Sequence, residues 1–121
     1  MILMLRHNML HSKNTLKQLL ISNPKELAKI LTNSNINNSL LSFGVEILGE
    51  EIYDKEITLP VFKKLLKHPN ALVRESAVIG TFAFFNSKTI DADILELLNI
   101  IKLNDPSFTI KVLVKDLLEN Y

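Results

Sequence analysis

Cysteine is absent from this 121-residue chain. That absence excludes a disulfide framework, a thiolate nucleophile and any zinc site built on Cys, and it suits a reducing cytoplasm. Tryptophan is also missing, and only two tyrosines and six phenylalanines are present, so an aromatic platform for stacked bases has little to draw on. With three glycines and four prolines, the closely spaced turn signals of an all-β domain are lacking. Net charge is scarce as well. A formal +1 is too small for affinity won mainly by neutralising phosphates, which disfavours nucleic acid as a partner. No apolar run reaches the roughly 20 residues of a membrane-spanning helix. The apolar start Met1-Ile-Leu-Met-Leu is interrupted by Arg6, His7 and Asn8 and lacks the order of charge, apolar run and cleavage site that marks a secretory signal. Residues 1–12 therefore read as an N-terminal extension, flexible or capping the core, and residues 13–121 as one domain.

What the chain does contain is helical periodicity. Leu27, Ile30 and Leu31 follow Pro24, with Asn23 placed as N-cap. The Asn- and Ser-rich run 33–38 breaks the pattern before a second helix carrying Leu40, Leu41, Phe43, Val45, Ile47 and Leu48. Thr58 and Pro60 are expected to start a third helix, through Val61, Phe62, Leu65 and Leu66, which His68-Pro69-Asn70 ends. A fourth runs from about Ala71 to Phe85 and is apolar on nearly every side, the mark of a helix covered on several faces. Asp91 is expected to cap a fifth carrying Ile94, Leu98 and Ile101. After Asn104-Asp105-Pro106, Ile110, Val114 and Leu117 mark the last. Gly80 inside the fourth helix costs about 1 kcal/mol relative to Ala, a loss that close helix–helix approach can offset, and Gly44 is read in the same way.

The second helices of successive pairs superpose. Leu40-Leu41-x-x-Gly44, Val73-Arg74-x-x-Ala77 and Ile110-Lys111-x-x-Val114 recur at intervals of 33 and 37 residues, within or near the periods of α-helical repeats. In the stretch His68-Pro-Asn-Ala-Leu-Val-Arg-Glu-Ser-Ala77, and again at Asn104-Asp-Pro-Ser-Phe-Thr-Ile-Lys111, the chain resembles the HEAT-repeat, armadillo-like α-solenoid family in a small bacterial stand-alone form. Lys111 stands where Arg is usual, Val114 where Ala is usual, and Leu41 occupies the basic position of the first unit. The resemblance implies a right-handed α-α superhelix of about three helix pairs, with a further helix possible at the N-terminus, and protein binding along its ridge or concave side.

Chemistry is harder to find. His7 and His11 are four residues apart but have no third ligand nearby, and His68 reads as a helix-end residue favoured by the dipole. No Gly-rich phosphate loop or nucleophile elbow is present, so no catalytic, cofactor-binding or metal-binding residue is assigned and the chain is not expected to be an enzyme. The candidate partner-binding residues are Glu46, Glu50, Glu51 and Asp54, an acidic lip for a basic partner, and Arg74, Lys111 and Lys115, a basic stripe if the units stack in register. For Arg74 the structural alternative weighs more: tying neighbouring turns together through Asn70, Glu75 or Asp105. The expected partner is another protein, met as a monomer or weak dimer, with no membrane. Small stand-alone repeat proteins with this turn resemble bacterial immunity proteins, which neutralise a cognate toxin by covering its active surface. The competing readings are a scaffold or regulatory subunit of a larger assembly, which exposure of Phe84, Phe85 and Phe108 would favour, and a nucleic-acid-binding helical-repeat protein.

Overall fold

A computed structural model of the chain describes residues 17–18, 22–33 and 35–121. The extension 1–12, with His7 and His11, lies outside the described residues. Among those described there are six helices and no strand: α1 (Pro24–Asn33), α2 (Asn38–Glu51), α3 (Lys55–Leu65), α4 (Ala71–Phe85), α5 (Ala92–Asn104) and α6 (Phe108–Glu119). Residues 17, 18 and 22 are helical as well.

Most helices start where a short polar side chain can satisfy an orphan amide. Asn23 accepts the Glu26 N–H, Asn37 the Ser39 N–H at 2.7 Å, Asn70 the Val73 N–H and Ser107 the Ile110 N–H. One expected start is corrected, and one expected capping bond is not made. The third helix begins at Lys55, because Asp54 accepts the Glu56 N–H at 2.9 Å and caps a turn earlier than Thr58 could. Pro60 consequently lies inside α3. Its missing donor orphans the Glu56 carbonyl, and both residues are exposed, so water can take that bond. Thr58 is buried instead of capping. Asp91 occupies the N-cap position of α5 but makes no capping bond; its carboxylate goes to Lys55 at 2.6 Å. Replacing Asn70 with alanine removes one cap and is expected to cost about 1 kcal/mol in urea denaturation.

The odd helices contact one another in the order α1, α3, α5, and the even ones in the order α2, α4, α6, while each helix also touches the partner that follows or precedes it in its pair. The core fills the space between the two layers. Leu27, Phe62, Leu65, Ile94 and Leu98 come from the odd layer, and Val45, Leu48, Val73, Ala77, Ile110 and Val114 from the even layer, all close to fully buried. Phe84 meets Phe62 and Phe85 edge-on, with centroids 5.7 and 5.1 Å apart. At the far end Tyr121 packs its ring against Phe82 and donates its hydroxyl to the Lys88 carbonyl.

The most extensive contact is between α2 and α4. A Cβ on Gly49 would lie 2.6 Å from the Gly80 carbonyl carbon and 2.8 Å from its Cα, and one on Gly80 would lie 2.6 Å from the Val45 carbonyl oxygen. The two backbones therefore touch directly. The expectation for Gly80 holds, and its counterpart on α2 is Gly49; Gly44 is buried elsewhere on that helix.

Candidate interaction surfaces

The glycine contact draws α2 against α4 and with it their carboxylates. Glu46 and Glu50, one turn apart on α2, share a face. The Ser76 side chain on α4 favours the ionised form of Glu46, and the charges of both Glu50 and Glu75 oppose it. Partial burial raises its pKa above the ordinary 4.5, and the two like charges add to that, against the influence of Ser76. The ion pairs among the described residues lie elsewhere, at Lys55–Asp91, Lys63–Asp93 and Arg74–Asp105, so none neutralises this trio. No three His, Asp or Glu side chains among the described residues converge closely enough to hold a metal, which makes the trio a spread negative field instead of a cation cage. Leu72, 50 % exposed, and half-buried Ile79 flank Glu75 at helical spacing on α4, while on α2 half-buried Phe43 lies one turn from Glu46 and half-buried Ile47 one turn from Glu50.

The expected acidic run thus divides. Glu46 and Glu50 belong to this face, Glu51 is exposed at the end of α2, and Asp54 serves as the cap of α3. Glu75 was not among the expected site residues, since its position beside Arg74 in sequence suggested it as that residue's partner. Adjacent helical residues diverge by about 100°, and here they serve different neighbours.

Because the folded state holds the Glu46 proton more tightly than the unfolded chain does, its contribution to stability falls as pH rises from 4.5 through the raised folded value. Glu46→Gln is expected to gain about 0.2–0.5 kcal/mol at pH 7, the scale of a like-charge pair one turn apart. Urea titration at pH 4 and pH 7 checks this, with the gain present only at the higher pH.

Arg74 is held on four bonds. Its Nε and Nη2 donate to the two oxygens of Asp105 at 2.9 and 3.1 Å, and its Nη1 donates to the His68 and Pro69 carbonyls, each at 2.9 Å. Its side chain is 12 % exposed and that of Asp105 2 %. Burial pushes the Asp105 carboxyl up, but the Arg74 and Ser107 hydrogen bonds and the Arg74 and Lys111 charges outweigh it and hold the group below its ordinary value. His68 anchors the turn after α3, its Nδ1 accepting the Asn70 N–H at 3.0 Å.

Lys111 and Lys115 lie one turn apart on α6. Lys111 acts electrostatically on Asp105, as Arg74 does, whereas Lys115 lines a groove of about 380 Å³ with Lys102, Leu103, Leu118 and Glu119. The expected stripe is therefore joined to Arg74 only at Lys111, and the acidic lip and the lysines occupy different ends of the even layer.

No helix among the described residues is long and apolar enough to cross a membrane. Compared with known proteins, the chain matches no family model, no curated protein and no solved structure.

Proposed function

We propose that the chain is a HEAT-like stack of three helix pairs, with the right-handed turn that the family resemblance implies, and that it works by holding another protein against its even-numbered helices. The observation that carries this reading is the trio Glu46, Glu50 and Glu75. Like charges crowded on adjoining helices without a counter-ion oppose folding, and that cost is offset when a basic surface docks on them. Leu72, Ile79, Phe43 and Ile47 surround the trio with apolar contact area, the composition of an interface with a well-packed centre.

Within this class the sharpest form is an immunity protein that covers the active surface of a cognate toxin. An inhibitor of this kind needs a compact body that can cover a partner's surface, and the six described helices supply packed faces of that sort. The test is co-expression with the product of the adjacent gene. Rescue of growth, with one-to-one binding at about nanomolar Kd or tighter, is the expected result, and Glu46→Lys with Glu75→Lys should abolish it. An adjacent product that is harmless alone and does not bind removes the toxin reading. A scaffold in a larger assembly is the second reading, favoured by Phe108, which is 78 % exposed, though Phe85 is buried and Phe84 partly so. Association that grows with concentration in ultracentrifugation would select it. Retention on DNA that weakens steeply with salt would instead revive a nucleic-acid role.

A further inference from the structure

The seam between α2 and α4 holds more than carboxylates. Ser42, Glu46 and Gly49 recur on one face of α2 at spacings of four and three residues. Gly49 fixes which way that face is turned, because its backbone meets that of Gly80 on α4. A Cβ on Gly80 would also lie 3.4 Å from the Glu46 Cα, which sets Glu46 on the edge of the seam. Ser42 is 5 % exposed, and its hydroxyl has no hydrogen-bond partner. A buried polar group left in that state costs about 1–3 kcal/mol, so helix packing alone favours alanine at this position.

The acceptors around the seam come from both helices. Glu46 stands one turn beyond Ser42, Glu50 one turn beyond that, and Glu75 approaches from α4, the charges of Glu50 and Glu75 both acting on Glu46. None of the three carboxylates belongs to an ion pair among the described residues. They are spread too widely to share a metal ion. Leu72, 50 % exposed, and half-buried Ile79 give Glu75 an apolar border. Separated acceptors beside apolar surface suit a broad, flat and weakly hydrated cation better than a compact, strongly hydrated one.

From this arrangement we infer that the α2–α4 seam is the seat of an arginine side chain supplied by the partner. One edge of its guanidinium bonds Glu46, another bonds Glu75, and a further N–H serves the Ser42 hydroxyl. Five donors fixed in one plane can reach three acceptors together, whereas the ammonium of lysine is a point charge that keeps its water. The aliphatic stem lies against Leu72 and Ile79. The inference rests on the reading of the even helices as a docking face and names the group that docks there.

The test uses the smallest probe with that chemistry. Ethylguanidinium is titrated into the full chain carrying glutamate isotopically labelled at Cδ, with ethylammonium titrated in parallel, and the carboxyl resonances are followed by NMR. Glu46 and Glu75 should respond to ethylguanidinium at a concentration roughly tenfold below that needed for exposed Glu26, Glu96 and Glu119, the preference that one charge-assisted hydrogen bond supplies. Ethylammonium should show no such preference. Ser42→Ala, which removes the orphan hydroxyl and should fold at least as stably, is expected to reduce the preference roughly threefold. Glu75→Gln should abolish it at unchanged helicity. A uniform response of all the glutamates, an equal response to the two cations, or a preference indifferent to Ser42→Ala overturns the arginine seat. The docking face itself is judged separately by the co-expression result, which does not depend on which cation the partner presents.

Discussion

Arg74→Met is expected to lower the unfolding free energy by about 3–5 kcal/mol, the cost of leaving a buried carboxylate without its partner. The arginine fork fixes both Asp105 oxygens and simultaneously holds the His68 and Pro69 carbonyls, so its loss strands one charge and two backbone acceptors. Lysine should recover little, because an ammonium cannot span both carboxylate oxygens and both carbonyls in one plane. The loss should depend on pH in a defined sense. Asp105 is held below its ordinary value of 3.8, so the pair's stabilisation is complete above that value and disappears as pH falls through the lowered one. Urea unfolding of the wild type and Arg74→Met at pH 7 and near pH 2.5 checks both statements, and the two curves should approach each other in acid. A difference below about 1 kcal/mol at pH 7, the range of exposed pairs, would contradict the buried geometry.

Gly49→Ala is the second large effect. On an open helix this change stabilises, by about 1 kcal/mol of helix propensity. At Gly49 the added methyl enters the Gly80 backbone, which has no side-chain rotamer through which to yield, and overpacking of a rigid site costs about 1–3 kcal/mol and occasionally more. With the added Cβ driven into backbone the steric term takes the upper end of that range and wins, for a net loss of up to about 2 kcal/mol and a fall in Tm of up to roughly 10 °C. Gly80→Ala should act in the same direction through the Val45 carbonyl. Stabilisation by either alanine would show that α2 and α4 are further apart than described.

The helices and their pairing were readable because their signals are local: apolar spacing, Asn and Ser at the entrances, Pro69 and Pro106 in the turns. The start of α3 was misjudged because Thr58-Leu-Pro60 resembles an entrance, while Asp54 offers a carboxylate to the Glu56 amide one turn earlier. Asp91 stands at the N-cap of α5 as expected, but its capping bond is missing because Lys55, 36 residues away, takes its oxygen. The Arg74–Asp105 link was among the expected partners, yet only the stacking of one turn beside another distinguishes Asp105 from adjacent Glu75. Gly49 carried no sequence signal apart from being a glycine, as its role depends on which residue of α4 crosses it. The same crossing brings Glu75 to Glu46, which is why the trio could not be seen along the chain.

The docked end of the chain has a practical consequence for spectroscopy. With no tryptophan and two tyrosines, the near-ultraviolet spectrum above the phenylalanine bands comes from Tyr53, which is 83 % exposed, and from Tyr121, whose ring lies against Phe82. A chiral environment around the chromophore exists chiefly at Tyr121, so near-ultraviolet circular dichroism should report the seating of the last residue on α4. Its phenol, raised above 10.0 by burial, should ionise late in an alkaline titration. The terminal tyrosine thus serves as an intrinsic optical label for the third helix pair, allowing its detachment to be timed separately from the loss of helix measured in the far ultraviolet.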